Sequence, residues 1–129
     1  MINKMAKDTS IKVWLRLEGL AVLGLSAALY SVYGAGWLLF GALLLLPDIA
    51  VLGYLGGPKV GARVYNLAHT YLFPALLLAA APLFSLSIGT ALALIWFAHI
   101  GTDRALGYGL KYPDAFRHTH LSLQTDPRA

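Results

Sequence analysis

The 129-residue chain contains no cysteine, which excludes disulfides, thiolate nucleophiles and every metal site that depends on sulfur. It is also poor in charge. Asp, Glu, Lys and Arg make up 12% of the residues, against about a quarter in a soluble domain. A globular surface cannot be solvated with so few charges, and the mean hydropathy of +0.66 points to lipid surroundings. No internal repeat, low-complexity segment or phosphate loop is present. Gly107-Tyr108-Gly109 lacks the strand and helix that would frame a phosphate loop and reads as a helix stop. Neither HExxH nor Glu-x-x-His occurs. The net charge of +4 does not make this a nucleic-acid binder, because the basic residues lie beside and between apolar runs, where they meet anionic lipid headgroups.

The sequence does have apolar runs of membrane-spanning length. A bilayer core needs about 20 mostly apolar residues per helix. Four stretches qualify, at about residues 11–33, 35–55, 60–83 and 86–108. Lys4, Lys7 and Lys12 ahead of the first run, with Ser26-Ala27-Ala28 inside it, resemble a secretory signal. The run is nevertheless long enough to span and three more follow, so it reads as a first transmembrane helix. The connections are short, which makes neighbours antiparallel. Gly56-Gly57-Pro58 joins a helix stop to a helix start. The expected fold is all-α, an integral membrane four-helix bundle running up-down-up-down over residues 1–109, followed by a polar, basic cytoplasmic tail over 110–129.

Orientation follows from charge. All ten Lys and Arg fall on one side of this arrangement: Lys4, Lys7, Lys12 and Arg16; Lys59 and Arg63; Arg104, Lys111, Arg117 and Arg128. The two opposite loops carry none. The positive-inside rule places both termini and the middle loop in the cytoplasm, as expected of a multi-pass protein of a bacterial inner membrane. Trp14, Trp37, Tyr30, Tyr33, Tyr54, Tyr108 and Tyr112 lie near span ends, as aromatic belts do.

Ionisable groups inside a bilayer are costly and mark function by default. Glu18, Asp48 and Asp103 lie within spans, as do Asn66, His69 and His99. At a rise of 1.5 Å per residue they all fall in one layer, about 8–14 Å from the cytoplasmic helix ends. Asn66 and His69 are spaced i, i+3, and His99 and Asp103 i, i+4, so each pair shares a helix face. Turned inward, these faces make one polar chamber open to the cytosol. Ala79-Ala80-Ala81 against Ala91 and Ala93 would pack the outer half tightly. Pro47 and Pro74 each free a carbonyl four residues back, at Leu43 and Thr70, and a kink at Pro47 would re-aim Asp48.

Imidazoles and carboxylates drawn from facing helices form a donor set for a divalent metal, Zn, Mn or non-haem Fe. The expected ligands are Glu18, Asp48, His69, His99 and Asp103, with His118 and His120 of the tail as further candidates. Arg63 and Asn66 would orient substrate or ligands, and Arg104 and Lys111 would attract an anionic headgroup. This reading makes the protein a metal-dependent enzyme acting on a lipid or other amphipathic substrate. Two others compete with it. One is a proton or ion pathway, which for so narrow a bundle calls for a homo-oligomer. The other is a structural or assembly protein with a buried ion-pair network, Arg63 with Asp48, Arg16 or Arg104 with Asp103, and His69 with Glu18.

The stretches Leu17-Glu18-Gly19, Pro47-Asp48, Tyr65-Asn66-Leu67-Ala68-His69, His99-Ile100-Gly101-Thr102-Asp103-Arg104 and Gly107-Tyr108-Gly109-Leu110-Lys111-Tyr112, followed by Phe116 and Thr119-His120-Leu121, resemble an uncharacterised family of small bacterial membrane proteins known as domain of unknown function 4260. The resemblance covers nearly all the chain except its two ends. It implies a four-helix bacterial membrane protein and assigns no activity.

Overall fold

The computed structural model describes residues 2–111 together with Pro113, Thr119 and Leu121, with side-chain surroundings from residue 9 onward. The regular elements are helical: α1 (Ile2–Tyr33), α2 (Trp37–Leu43), a 3-10 helix (Leu46–Gly56), α3 (Pro58–His69), α4 (Leu72–Leu83) and α5 (Ser87–Leu106). An isolated antiparallel bridge joins Lys111 to Thr119.

Among the described residues five α-helices therefore stand where four spans were expected, because two of the expected spans are broken. In the second, Pro47 has no N–H to donate, and the chain changes from α to 3-10 geometry between Leu43 and Leu46. The third is divided at Thr70, whose extended backbone ends α3; α4 restarts at Leu72 with a bend of 40°. Pro74 lies in the first turn of α4, where its missing donor is tolerated. Two segments are long and apolar enough to cross a membrane by themselves, Thr9–Tyr33 and Trp37–Gly56, and the bent pair α3–α4 makes a third if taken as one span. α5 has the length, at 20 residues, but it carries His99, Asp103 and Arg104.

α5 is instead the most enclosed helix. Ala91, Ala93, Ala98 and Ile100 are fully buried along it. α1 crosses it backbone to backbone: a Cβ on Gly101 would stand 2.7 Å from the Gly19 carbonyl oxygen and 2.8 Å from the Leu23 nitrogen. α4 returns beside α5 through a tight turn at Ser85, and Ala81 meets Gly89 where the two helices touch. At the end of α1, Tyr30 packs with Ala91, Leu94 and Ile95, while its hydroxyl donates to the Gly36 carbonyl at 2.6 Å. The outside of the molecule is apolar: Ile11, Trp14, Leu25, Leu52 and Leu83 are exposed, and Leu38 and Leu55 each reach 89%. So many exposed large apolar side chains, on helices long and apolar enough to cross a membrane, suggest a membrane protein.

Candidate metal centre

The helix breaks build the site. The amide of Asp48 donates to Leu45, three residues back, as 3-10 geometry requires; α geometry would have used Leu44. The Leu44 carbonyl is thereby released and accepts a hydrogen bond of 2.7 Å from His99 Nδ1. On α3, His69 Nδ1 donates to the Tyr65 carbonyl at 2.8 Å. A carbonyl can only accept, so each ring carries a proton on Nδ1, and in its neutral form each turns the lone pair of Nε2 toward the carboxylates.

Those two Nε2 atoms face each other at 3.1 Å. His69 Nε2 lies 3.2 Å from Asp48 Oδ1 and 3.4 Å from Asp103 Oδ2. His99 Nε2 lies 3.1 Å from Asp48 Oδ1 and 3.2 Å from Asp103 Oδ2. One donor atom from each of the four residues falls within 4.8 Å of every other. Four atoms that can each offer a lone pair thus converge. Such a group repels itself unless a cation or bound protons sit within it. The five distances that involve a histidine nitrogen suit a cation, since ligands about 2.0–2.1 Å from a tetrahedral ion lie about 3.3 Å apart, and the two carboxylates stand within 4.8 Å of each other. Imidazole nitrogen with carboxylate oxygen is a zinc, manganese or iron donor set, and an Nδ1–H held by a backbone carbonyl is the usual support of a metal-binding histidine. The residues therefore fit a divalent metal. Both histidine side chains are 2% exposed, Asp103 is 18% exposed and Asp48 46%, so the open side of the group is the Asp48 side.

The surroundings hold the histidines in place. The Tyr65 ring stacks on His69 at 3.7 Å with the planes 5° apart, and Nζ of the buried Lys111 sits 4.6 Å from the Tyr65 ring centre. Asn66 pairs with the backbone of Lys111 through two bonds, Nδ2 to its carbonyl at 2.8 Å and Oδ1 from its amide at 2.7 Å. The chain beyond α5 is thereby tied to α3. Burial lowers the pKa of the Lys111 ammonium, while Asp103 and Asp48 raise it in opposition. Trp96 Nε1 donates to the Ala68 carbonyl at 2.5 Å, next to His69.

Of the five expected ligands, Asp48, His69, His99 and Asp103 come together. Glu18 does not. Its neighbour Gly19 is the residue α1 presses against α5, and one helical step of about 100° turns Glu18 to the exposed flank. His118 and His120 lie outside the described residues. Arg104 Nη2 donates to the His69 carbonyl at 3.0 Å, filling the acceptor that the break at Thr70 leaves open. Arg16 Nε donates to the Ala105 carbonyl, and Arg63 is exposed. None of the arginine–carboxylate pairs of the ion-pair reading forms among the described residues. Sequence reasoning missed the Tyr65 stack, although its i, i+4 spacing to His69 was in view. It also assigned the freed carbonyls to Leu43 and Thr70. The acceptors used are Leu44 and His69, one residue earlier or later, because the breaks are a change of helix type and an extended residue rather than simple proline kinks.

Neither a curated protein nor a solved structure matches this chain. Residues 12–123 match the family model described as a domain of unknown function, DUF4260, and the chain belongs to that family.

Proposed function

We propose that the protein is a four-column membrane bundle in which Asp48, His69, His99 and Asp103 hold one divalent metal ion, Zn, Mn or Fe, for chemistry on a lipid or other amphipathic substrate. The columns are α1, α2 with the 3-10 helix, α3 with α4, and α5, the last crossing where the others screen it from lipid. The one-sided distribution of Lys and Arg supports cytoplasmic termini in a bacterial inner membrane. The observation that carries the metal is the meeting of two Nδ1-protonated imidazoles and two carboxylates with their lone pairs inward. A bound ion would polarise a carbonyl or phosphoryl oxygen or activate water.

The substrate class rests on what adjoins the ligands. A cleft of about 280 Å³ is lined by apolar residues, among them Leu43, Pro47, Ala68, Leu92, Ile95 and Trp96. Pro47 and Ala68 precede Asp48 and His69 in the chain, and Ile95 lies one turn before His99. The indole N–H of Trp96 is already used on Ala68, so the cleft offers no hydrogen bond to a polar guest. A cavity of about 150 Å³ admits benzene, so this cleft suits a chain of roughly ten carbons. Asn66 acts by anchoring Lys111, and Arg63 and Lys111 supply positive potential to anionic headgroups.

Elemental analysis of the purified protein tests the metal. Wild type should carry one equivalent, and His69→Ala and His99→Ala should carry none. The 3.1 Å contact between the two Nε2 atoms also suits a shared proton, and so favours a proton pathway in an oligomer as the second reading. That pathway predicts flux in liposomes that Asp48→Asn abolishes, without stoichiometric metal. Metal-free, flux-free protein in which the same substitutions only lower thermal stability would leave a structural role.

A further inference from the structure

Another pocket, of about 290 Å³, lies between α1, the start of α4 and the end of α5. Leu15 and Leu110 form its apolar walls, and Glu18, Thr70, Tyr71 and Arg104 its polar ones. Arg104 is 7% exposed. Its guanidinium donates to two carbonyls, His69 at 3.0 Å and Tyr108 at 3.4 Å, and lies 5.7 Å from the centre of the Tyr71 ring. Among the described residues no carboxylate comes within ion-pair distance of it. Two carbonyls cannot occupy five N–H donors or neutralise a full charge. Buried cations are normally paired. The Tyr71 hydroxyl is also sealed from solvent and has no hydrogen-bond partner among the described residues. The Arg104 guanidinium lines the pocket with donors to spare, and Tyr71 lines it too with its hydroxyl unpartnered behind that wall, so both lack an acceptor.

We infer that this pocket binds an oxyanion of the phosphate class, held by Arg104 and Tyr71, either as a lipid headgroup or as free phosphate. Guanidinium matches phosphate with paired, charge-assisted N–H donors, and the phenol supplies one more. Glu18, exposed at the rim, weakens a bare anion and favours one that also carries a hydroxyl or amine. The inference stands apart from the metal reading, since no metal ligand lines this pocket.

The test uses the full chain in nanodiscs of phosphatidylcholine. Inorganic phosphate is titrated by calorimetry, and phosphatidic acid is supplied in a second set of discs, with bound lipid counted by native mass spectrometry. Tyr71→Phe keeps the ring and removes a hydroxyl without a described partner, so folding should survive; affinity should fall about threefold to tenfold. Arg104→Gln should weaken binding roughly ten- to hundredfold. It also removes the His69 cap, so Tyr71→Phe and Glu18→Gln decide the matter if Arg104→Gln does not fold. Glu18→Gln should tighten inorganic phosphate severalfold. This pattern with inorganic phosphate assigns a free anion; the same pattern with phosphatidic acid alone assigns a headgroup. Binding of neither, binding indifferent to Tyr71→Phe and Glu18→Gln, or binding that disappears when a chelator strips the wild type of metal would overturn the inference. The metal reading is judged separately, by the metal content of the same samples.

Discussion

α5 meets its neighbours on two faces that differ in kind. At Gly101 it touches α1 backbone to backbone, leaving no room for a side chain. At His99 and Asp103 it meets α3 and the start of the 3-10 helix through ionisable side chains. The first face is continuous helix on continuous helix. On the second, both partners are broken, α2 giving way to the 3-10 helix after Leu43 and α3 stopping at His69. Tight crossing holds the bundle together, whereas the break after Leu43 releases the Leu44 carbonyl that fixes the Nδ1 proton of His99, and the break after His69 releases the carbonyl that Arg104 caps. Stability and chemistry are therefore carried by opposite sides of the same element.

That division can be broken from either side. The largest effect is expected from Gly101→Leu, whose Cβ would collide with the α1 backbone at Gly19 and Leu23. Overpacking against rigid backbone should cost about 3 kcal/mol or more. Thermal unfolding in detergent, followed by size exclusion, should show early aggregation or no folded peak. Pro47→Ala comes next. With an N–H restored, α geometry can run through residue 47 and reclaim the Leu44 carbonyl from His99. Loss of such an outer partner should weaken metal binding about tenfold to a hundredfold in chelator competition, with little change in melting.

Trp96→Phe sharpens the comparison at a smaller scale. It leaves the Ala68 carbonyl without its 2.5 Å donor, at a cost of about 1 kcal/mol. The melting temperature should drop while metal affinity stays near wild type. The smallest effect concerns Lys111. Its folded pKa lies below the ordinary 10.5, so the charged form is disfavoured in the fold. Stability should be lower while the group is protonated in both states and should rise as pH climbs through the lowered pKa toward 10.5. Lys111→Met should flatten that slope in a melting series over alkaline pH.

How far the sequence reached can be judged on particular residues. Counting from helix ends places Asp48, His69, His99 and Asp103 at one level, and the structure brings those four together. The same count puts Glu18 at that level, and there it fails, because depth is set by position along a helix while facing is set by rotation. The rotation of α1 is fixed by Gly19 against Gly101, a contact between distant segments that periodicity in either one does not reveal. Breaks at Pro47 and near Pro74 were legible from proline chemistry. Which carbonyl each break releases was not, since that depends on whether the chain continues as 3-10 helix or turns extended. The apolar runs were legible as membrane-length segments; that the fourth, α5, is the helix the others enclose was not.

The central claim is that the four donor atoms enclose a cation. X-ray absorption at the edge of the metal that co-purifies with the wild-type protein addresses it directly. A shell of nitrogen and oxygen at about 2.0–2.2 Å with imidazole scattering, lost in His99→Ala, is the predicted result. A hydrated ion without imidazole scattering, or protein from metal-replete growth with no stoichiometric metal, would contradict it.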